Sequence, residues 1–277
     1  MIIKNKSKQW RFIPLSSIWF QDLPEDISLD GYRIDNVIHY TDLIISIYFG
    51  IVVAALLYFI IRYRASLGNK AVYDKGDKKK NIIITACLGL LVFLSVDAVI
   101  EAMSFKDLRE AFWNFPDNEK VVRIEVMPQQ FAWNFRYPGP DKVFGNEDDI
   151  IPAQNQMHIP INRPVVIQLA SWDVIHSFYL PNFRIKQDAT PGMITALWFQ
   201  ATKTGVFDIA CAELCGNSHY KMLGYLTVEK EEDFEQWLID NSPEDLGMAD
   251  EWDEWDNDEQ EDAGIPEDWG WAWKELK

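Results

Sequence analysis

Histidine and cysteine are scarce here: four and three, respectively, in 277 residues. Any metal site must therefore draw on a short roster of ligands. No Cys-x-x-Cys-His occurs, which excludes covalently attached haem. Basic charge is also lacking overall, with 26 Lys/Arg against 43 Asp/Glu and a net charge of −17. The deficit is concentrated in residues 101–277, which hold 14 basic and 34 acidic side chains. Such a surface repels nucleic acid and attracts basic partners, so nucleic-acid binding is set aside. The chain opens on a mixed arm, basic at Lys4, Lys6, Lys8 and Arg11 and then acidic from Asp22 to Asp35. Its first apolar run starts at residue 43, too deep for a signal peptide.

What is present begins with two apolar runs. Residues 43–61 contain no charge, and residues 82–100 contain only Asp97. About 20 apolar residues rising 1.5 Å each span a bilayer core. Two such runs predict a transmembrane hairpin (43–61 and 81–100), although buried helices of a soluble protein are the plainer alternative. The intervening loop, 62–80, carries seven basic residues from Arg62 to Lys80 against Asp74 and Asp77. Short basic loops stay in the cytoplasm. The N-terminal arm (1–42) and residues 101–277 are therefore expected on the outer face, the periplasm of a bacterium.

Beyond a linker at 101–120 the texture changes. Residues 121–230 hold short runs rich in Val, Ile and aromatics. They are split by turn signals such as Pro138-Gly139, Pro191-Gly192 and Lys203-Thr204-Gly205. This spacing predicts an all-β Greek-key sandwich or barrel. The last part, 231–277, holds 19 acidic residues and six of the chain's twelve Trp. A short helix is expected over 231–239. The acidic, Trp-rich remainder reads either as a solubilising tail or as a segment that docks on another subunit.

The chemistry lies in Cys211-Ala212-Glu213-Leu214-Cys215-Gly216-Asn217-Ser218-His219-Tyr220-Lys221-Met222. Two thiols, an imidazole and a thioether fall within 12 residues, directly after a strand-like run. Soft sulfur with imidazole selects copper. One Cys would suit a mononuclear copper site, whereas two thiolates can bridge a pair of coppers. A pair needs a second imidazole upstream, and His176 lies at a strand end 35 residues before Cys211. A Cys211–Cys215 disulfide and a zinc site remain open on composition alone. Cys87 falls in an apolar run and suits packing.

At these residues the chain resembles subunit II of haem–copper cytochrome c oxidases, the subunit with the CuA centre. The resemblance rests on Ser171-Trp172-Asp173-Val174-Ile175-His176-Ser177-Phe178, Leu180-Pro181, Asp188-Ala189-Thr190-Pro191-Gly192 and the copper loop. It implies a cupredoxin fold for 121–230. It also implies a dinuclear copper held by His176, Cys211, Cys215, His219, Met222 and the Glu213 carbonyl. The Glu213 side chain would reach a magnesium or manganese ion shared with subunit I. The implied partners are the other oxidase subunits, the membrane and a cytochrome c or equivalent donor. The implied activity is electron delivery to haem in subunit I, where oxygen becomes water and protons are translocated. Asp173 is a candidate docking charge for the donor, or else a local hydrogen-bond acceptor.

The sequence departs from the family pattern in three places. Electron intake in the family uses the first Trp of a Gln-Trp-Tyr-Trp-like stretch. Here that stretch reads Gln130-Phe131-Ala132-Trp133, leaving Phe131 or Trp133 as the candidates. The second run opens on Lys78-Lys79-Lys80-Asn81, without the carboxylate the family often has there. The third departure is the Trp-rich acidic tail. A membrane-anchored copper assembly or storage module is the competing function.

Overall fold

The computed structural model describes residues 23–70 and 72–243. The acidic tail from 244 onward and the first 22 residues lie outside the described residues. Helix α1 covers Gly31–Arg62. Its 32 residues extend about 48 Å, longer than a hydrocarbon core of about 30 Å. The polar turns before residue 43 therefore continue the helix beyond the apolar run. Helix α2 covers Lys79–Ser95 and α3 covers Asp97–Asp107, continued by one wide turn over Leu108–Phe112. The break at Val96 has a local cause: the Ser95 hydroxyl donates to the Leu91 carbonyl at 2.7 Å, competing with the helical ladder. Tyr48 meets the same hydroxyl from α1 at 2.9 Å. The apolar side chains of both helices are exposed along their length, as in a hairpin that faces lipid or partner helices.

Nine strands follow among the described residues. They are β1 Val122–Gln129, β2 Ala132–Arg136, β3 Gln156–Pro160, β4 Pro164–Leu169, β5 His176–Leu180, β6 Ile185–Ala189, β7 Thr195–Gln200, β8 Gly205–Cys211 and β9 Leu223–Glu229. One sheet runs β2-β1-β4-β7 and the other β3-β9-β8-β5-β6. Pairs β1–β4 and β3–β9 are parallel and the rest antiparallel. Alternation decides the faces: Ile124, Val126, Val165, Ile167 and Leu169 point inward from one sheet, and Phe178, Leu180, Ile209 and Leu226 from the other. Trp133, Phe135 and Tyr137 fill the space between them. This is the cupredoxin-like sandwich. Helix α4, Glu231–Asp240, closes one edge by packing Phe234 and Trp237 on Tyr137.

The sandwich is bound to the hairpin by its own N-terminal approach. Ile27 is buried in the β-core, and its carbonyl accepts from the Thr202 amide at 2.8 Å. Leu29 donates to Gln200, and Arg184 reaches Asp35 on α1 at 2.6 Å. Arg33 spans Asp30 on its own approach and Asp107 and Glu110 on the second arm. These contacts hold one end of the sheets against the hairpin. The metal-ligand candidates lie at the other end. From Pro164, paired with Gln200, β4 runs six residues to Leu169 and carries the next loop about 20 Å away.

Candidate metal centre

Two loops meet at that far end. Residues 170–175 connect β4 to β5 and deliver His176, the first residue of its strand. Residues 212–222 connect β8 to β9 and deliver the rest. Strand β5 pairs with β8 so that Phe178 faces Cys211, and Ala212 N–H donates to the Ser177 carbonyl at 3.0 Å. His176 and Cys211 are thereby set by sheet register and not by a free loop. The loop closes on itself through Cys211 N–H to Met222 O, His219 N–H to Gly216 O and Met222 N–H to His219 O.

The donors converge tightly. Cys211 Sγ lies 3.8 Å from His176 Nδ1, 3.8 Å from Cys215 Sγ and 3.3 Å from the Glu213 carbonyl. Cys215 Sγ lies 3.6 Å from His219 Nδ1 and 3.7 Å from Met222 Sδ. Two sulfurs at 3.8 Å are not disulfide-bonded, since that bond is about 2.0 Å. Two donors about 2.0–2.3 Å from one ion at a tetrahedral angle sit about 3.5 Å apart. The separations here have that size, and His176, Cys211 and Cys215 form a group able to hold a metal ion. The donor set fits soft, closed coordination. His176 is 0% exposed, and Cys215 and Met222 are buried with it, so water has little access.

Electrostatics prepare the ligands. Burial opposes a thiolate at Cys211, but His176 and the backbone at Ser177 and Glu213 outweigh it and draw the thiol down to about 6. Burial and the neighbouring Cys211 push Cys215 up to about 12. A cation held by these thiols would reverse that second effect, because a coordinating thiol is deprotonated outright. At His176 burial disfavours the imidazolium, yet Cys211 and Asp173 hold its pKa above the ordinary value. Asp173 is the orienting group: its Oδ1 sits 2.9 Å from His176 Nε2, leaving Nδ1 to face the sulfurs. Burial raises the Asp173 carboxyl, but His176 and the Gln130 and Val174 amides more than offset it and lower its pKa.

The remaining candidates fall around this core. Glu213 presents its carbonyl inward and its side chain to solvent. Trp133 is fully buried, with its ring 6.3 Å from His176, and Phe131 is half-buried against Gly216. Asp173 is partly exposed, but both its oxygens accept internal bonds. His39 lies exposed on α1. His158 is stacked on Trp237 at 4.3 Å and bonded to Glu229, remote from the centre in both sequence and packing. Sequence reasoning missed two supports. Gln130 donates from Nε2 to the Cys215 carbonyl and from its amide to Asp173 at 2.7 Å. Gly216 adopts φ +137°, and a Cβ there would lie 2.7 Å from that Nε2. A Gly directly after the second Cys was the available signal.

The family model described as "Cytochrome C oxidase subunit II, periplasmic domain" matches residues 122–228. An "Alternative cytochrome c oxidase subunit 2" of Bradyrhizobium diazoefficiens is 31% identical over 252 residues, covering 83% of each chain. A "Cytochrome c oxidase subunit 2" of Thermostichus vulcanus is 42% identical over 118 residues; the match spans 43% of this chain and 33% of that one. Among solved structures, the periplasmic domain of subunit II of cytochrome oxidase from Bradyrhizobium japonicum is 28% identical, with a TM-score of 0.39. It covers 46% of this chain and 95% of its own. The chain belongs to the cytochrome c oxidase subunit II family, whose members are subunits of an oxidoreductase complex.

Proposed function

We propose that this subunit holds a dinuclear copper centre of the CuA type and passes electrons from cytochrome c, or an equivalent donor, toward haem in subunit I. There oxygen is reduced to water with proton translocation. The observation that carries the proposal is the convergence of Cys211, Cys215, His176, His219 and Met222 at 3.6–3.8 Å spacings. The Glu213 carbonyl completes the set at 3.3 Å from Cys211. Cys211, Cys215, His176, His219, Met222 and the Glu213 carbonyl would hold the copper pair, which would supply a one-electron site.

The chain's own residues keep such a site closed. Cys211 is already inclined to ionise, and Asp173 fixes the tautomer and orientation of His176. Buried Met222 and Trp133 exclude water. A ligand set without an open position suits electron transfer and leaves no place for substrate. The exposed Glu213 carboxylate lies on the loop's outer side, where it would hold a magnesium or manganese ion shared with subunit I. The charge of Asp173 adds to the acidic field that steers a basic donor.

The basic loop at 62–80 sets the orientation in the membrane: it lies in the cytoplasm, and the copper domain lies on the periplasmic side of a bacterial inner membrane. Burial of Ile27 in the β-core supports this, since the approach to α1 and the sandwich then share one side. Copper loading of the full-length protein tests the whole assignment. The expected result is a purple protein with two coppers per chain and a delocalised mixed-valence paramagnetic spectrum. A colourless, diamagnetic copper(I) protein would overturn the electron-transfer role.

A further inference from the structure

We propose that Trp172 is the residue through which a reduced c-type haem protein delivers its electron to the centre. The proposal rests on the copper assignment above. Three observations lead to it. First, exposure: Trp172 is 52% exposed, while Trp133 is 0% exposed and Phe131 is half-buried under Gly216. A donor haem edge can press on the first and not on the second.

Second, connection. Trp172 is joined by one peptide link to Asp173, whose carboxylate is bonded to His176 Nε2 at 2.9 Å. Tunnelling falls off more slowly through bonds than through gaps, and this route crosses covalent bonds and a single 2.9 Å hydrogen bond. Third, rigidity and position. Trp172 N–H donates to Pro128 O at 3.1 Å, Ser171 bridges Pro191 and its hydroxyl donates to the Val174 carbonyl. The loop is therefore fixed at the sheet end remote from the hairpin contacts.

The chemistry suits the assignment. An indole has a larger π-system than a phenyl ring and is easier to oxidise, so it couples better to a haem edge. Its neighbour Ile175 is also exposed, giving an apolar contact beside ligand His176. Apolar contact at the centre with acidic charge around it matches a donor whose haem edge is apolar and whose rim is basic. One electron leaves the ferrous haem, which becomes ferric, and the copper centre is reduced by one electron. No bond forms or breaks and no proton moves.

The test uses full-length protein in mild detergent and a soluble c-type cytochrome. Oxidative footprinting of the metal-free protein should show Trp172 protected at least threefold by the ferric cytochrome. Trp113, 68% exposed near the hairpin, should be unchanged. In the copper-loaded protein, Trp172→Phe and Trp172→Ala should slow electron uptake from the ferrous cytochrome about tenfold or more, with the copper spectrum retained. Each should slow it more than Phe131→Leu does. Wild-type rates in both Trp172 variants, an unprotected Trp172, or a larger effect at Phe131 would overturn the proposal. Failure of the copper assignment itself would look different: wild-type protein would lack the mixed-valence spectrum and take up no electron at all.

Discussion

Glu125→Gln should flatten the pH dependence of the β-domain's stability. Glu125 sits on β1, 0% exposed, below the hairpin tip that carries Gln130 and Phe131. Arg136 opposite it donates from Nε to Oε2 at 2.7 Å, and its second contact goes to that same oxygen. Oε1 has no partner. Arg136 also faces Asp149 at 3.4 Å, so two buried carboxylates share one guanidinium. One negative charge is left unmatched. Burial, partly countered by Arg136, raises Glu125 from 4.5 to about 7. A carboxyl with a raised native pKa contributes stability that is fully present below its unfolded value and lost as pH rises through the native one. Each pH unit in that window costs about 1.4 kcal/mol. Between pH 5 and pH 8 the wild type should therefore lose roughly 2–3 kcal/mol that Glu125→Gln does not lose. Urea unfolding followed by near-UV circular dichroism at four pH values reads the difference, and titrations shared by both proteins cancel. A wild-type-minus-variant difference that stays constant from pH 5 to pH 8 would refute the reasoning. Arg136→Met provides the contrast: it strands both carboxylates and should cost about 3–5 kcal/mol near neutral pH.

Cys215→Ser should abolish the dinuclear spectrum, and a retained mixed-valence signal would reject bridging by this sulfur. Asp173→Asn keeps an acceptor at His176 Nε2 but removes the charge. Copper affinity, read by chelator competition, should fall about 10–100-fold. Gly216→Ala places a Cβ 2.7 Å from Gln130 Nε2 at φ +137°. It should lower stability by about 1–3 kcal/mol and weaken copper retention, as measured by unfolding and metal analysis.

The candidate metal loop was legible because its chemistry is local. Cys211, Cys215, His219 and Met222 are close in sequence, and soft donors so rarely coincide that spacing alone names them. His176 was legible for a different reason: with four histidines, a strand end left few choices. What escaped reading was whatever depends on a distant segment covering a surface. Strand β6, Ile185–Ala189, is a polar edge strand whose alternation is masked by Lys186, Gln187 and Asp188. Strand β5 hides between His176 and Pro181, residues that suggest a loop. Glu125 looks like a solvent-facing residue between Ile124 and Val126. It is buried because residues 138–149 fold back over that face, with Tyr137 paired to Ile150 and Phe144 stacked on Arg136.

The same distinction separates the centre from its surroundings. Which side chains could hold a metal is a property of residue type, so it survives in the sequence. Ligand geometry depends on the β5–β8 register, which brings His176 beside Cys211 across 35 residues. The outer support is less local still. Gln130, on the β1–β2 tip, braces both Asp173 and the Cys215 carbonyl, so the first sheet holds the loops grown from the second. A perturbation at the root of that hairpin, such as Arg136→Met, should therefore reach the metal loop through Gln130 without touching a ligand. Copper affinity in that variant should fall even under conditions where the domain stays folded, whereas unchanged affinity would confine Gln130 to a packing role.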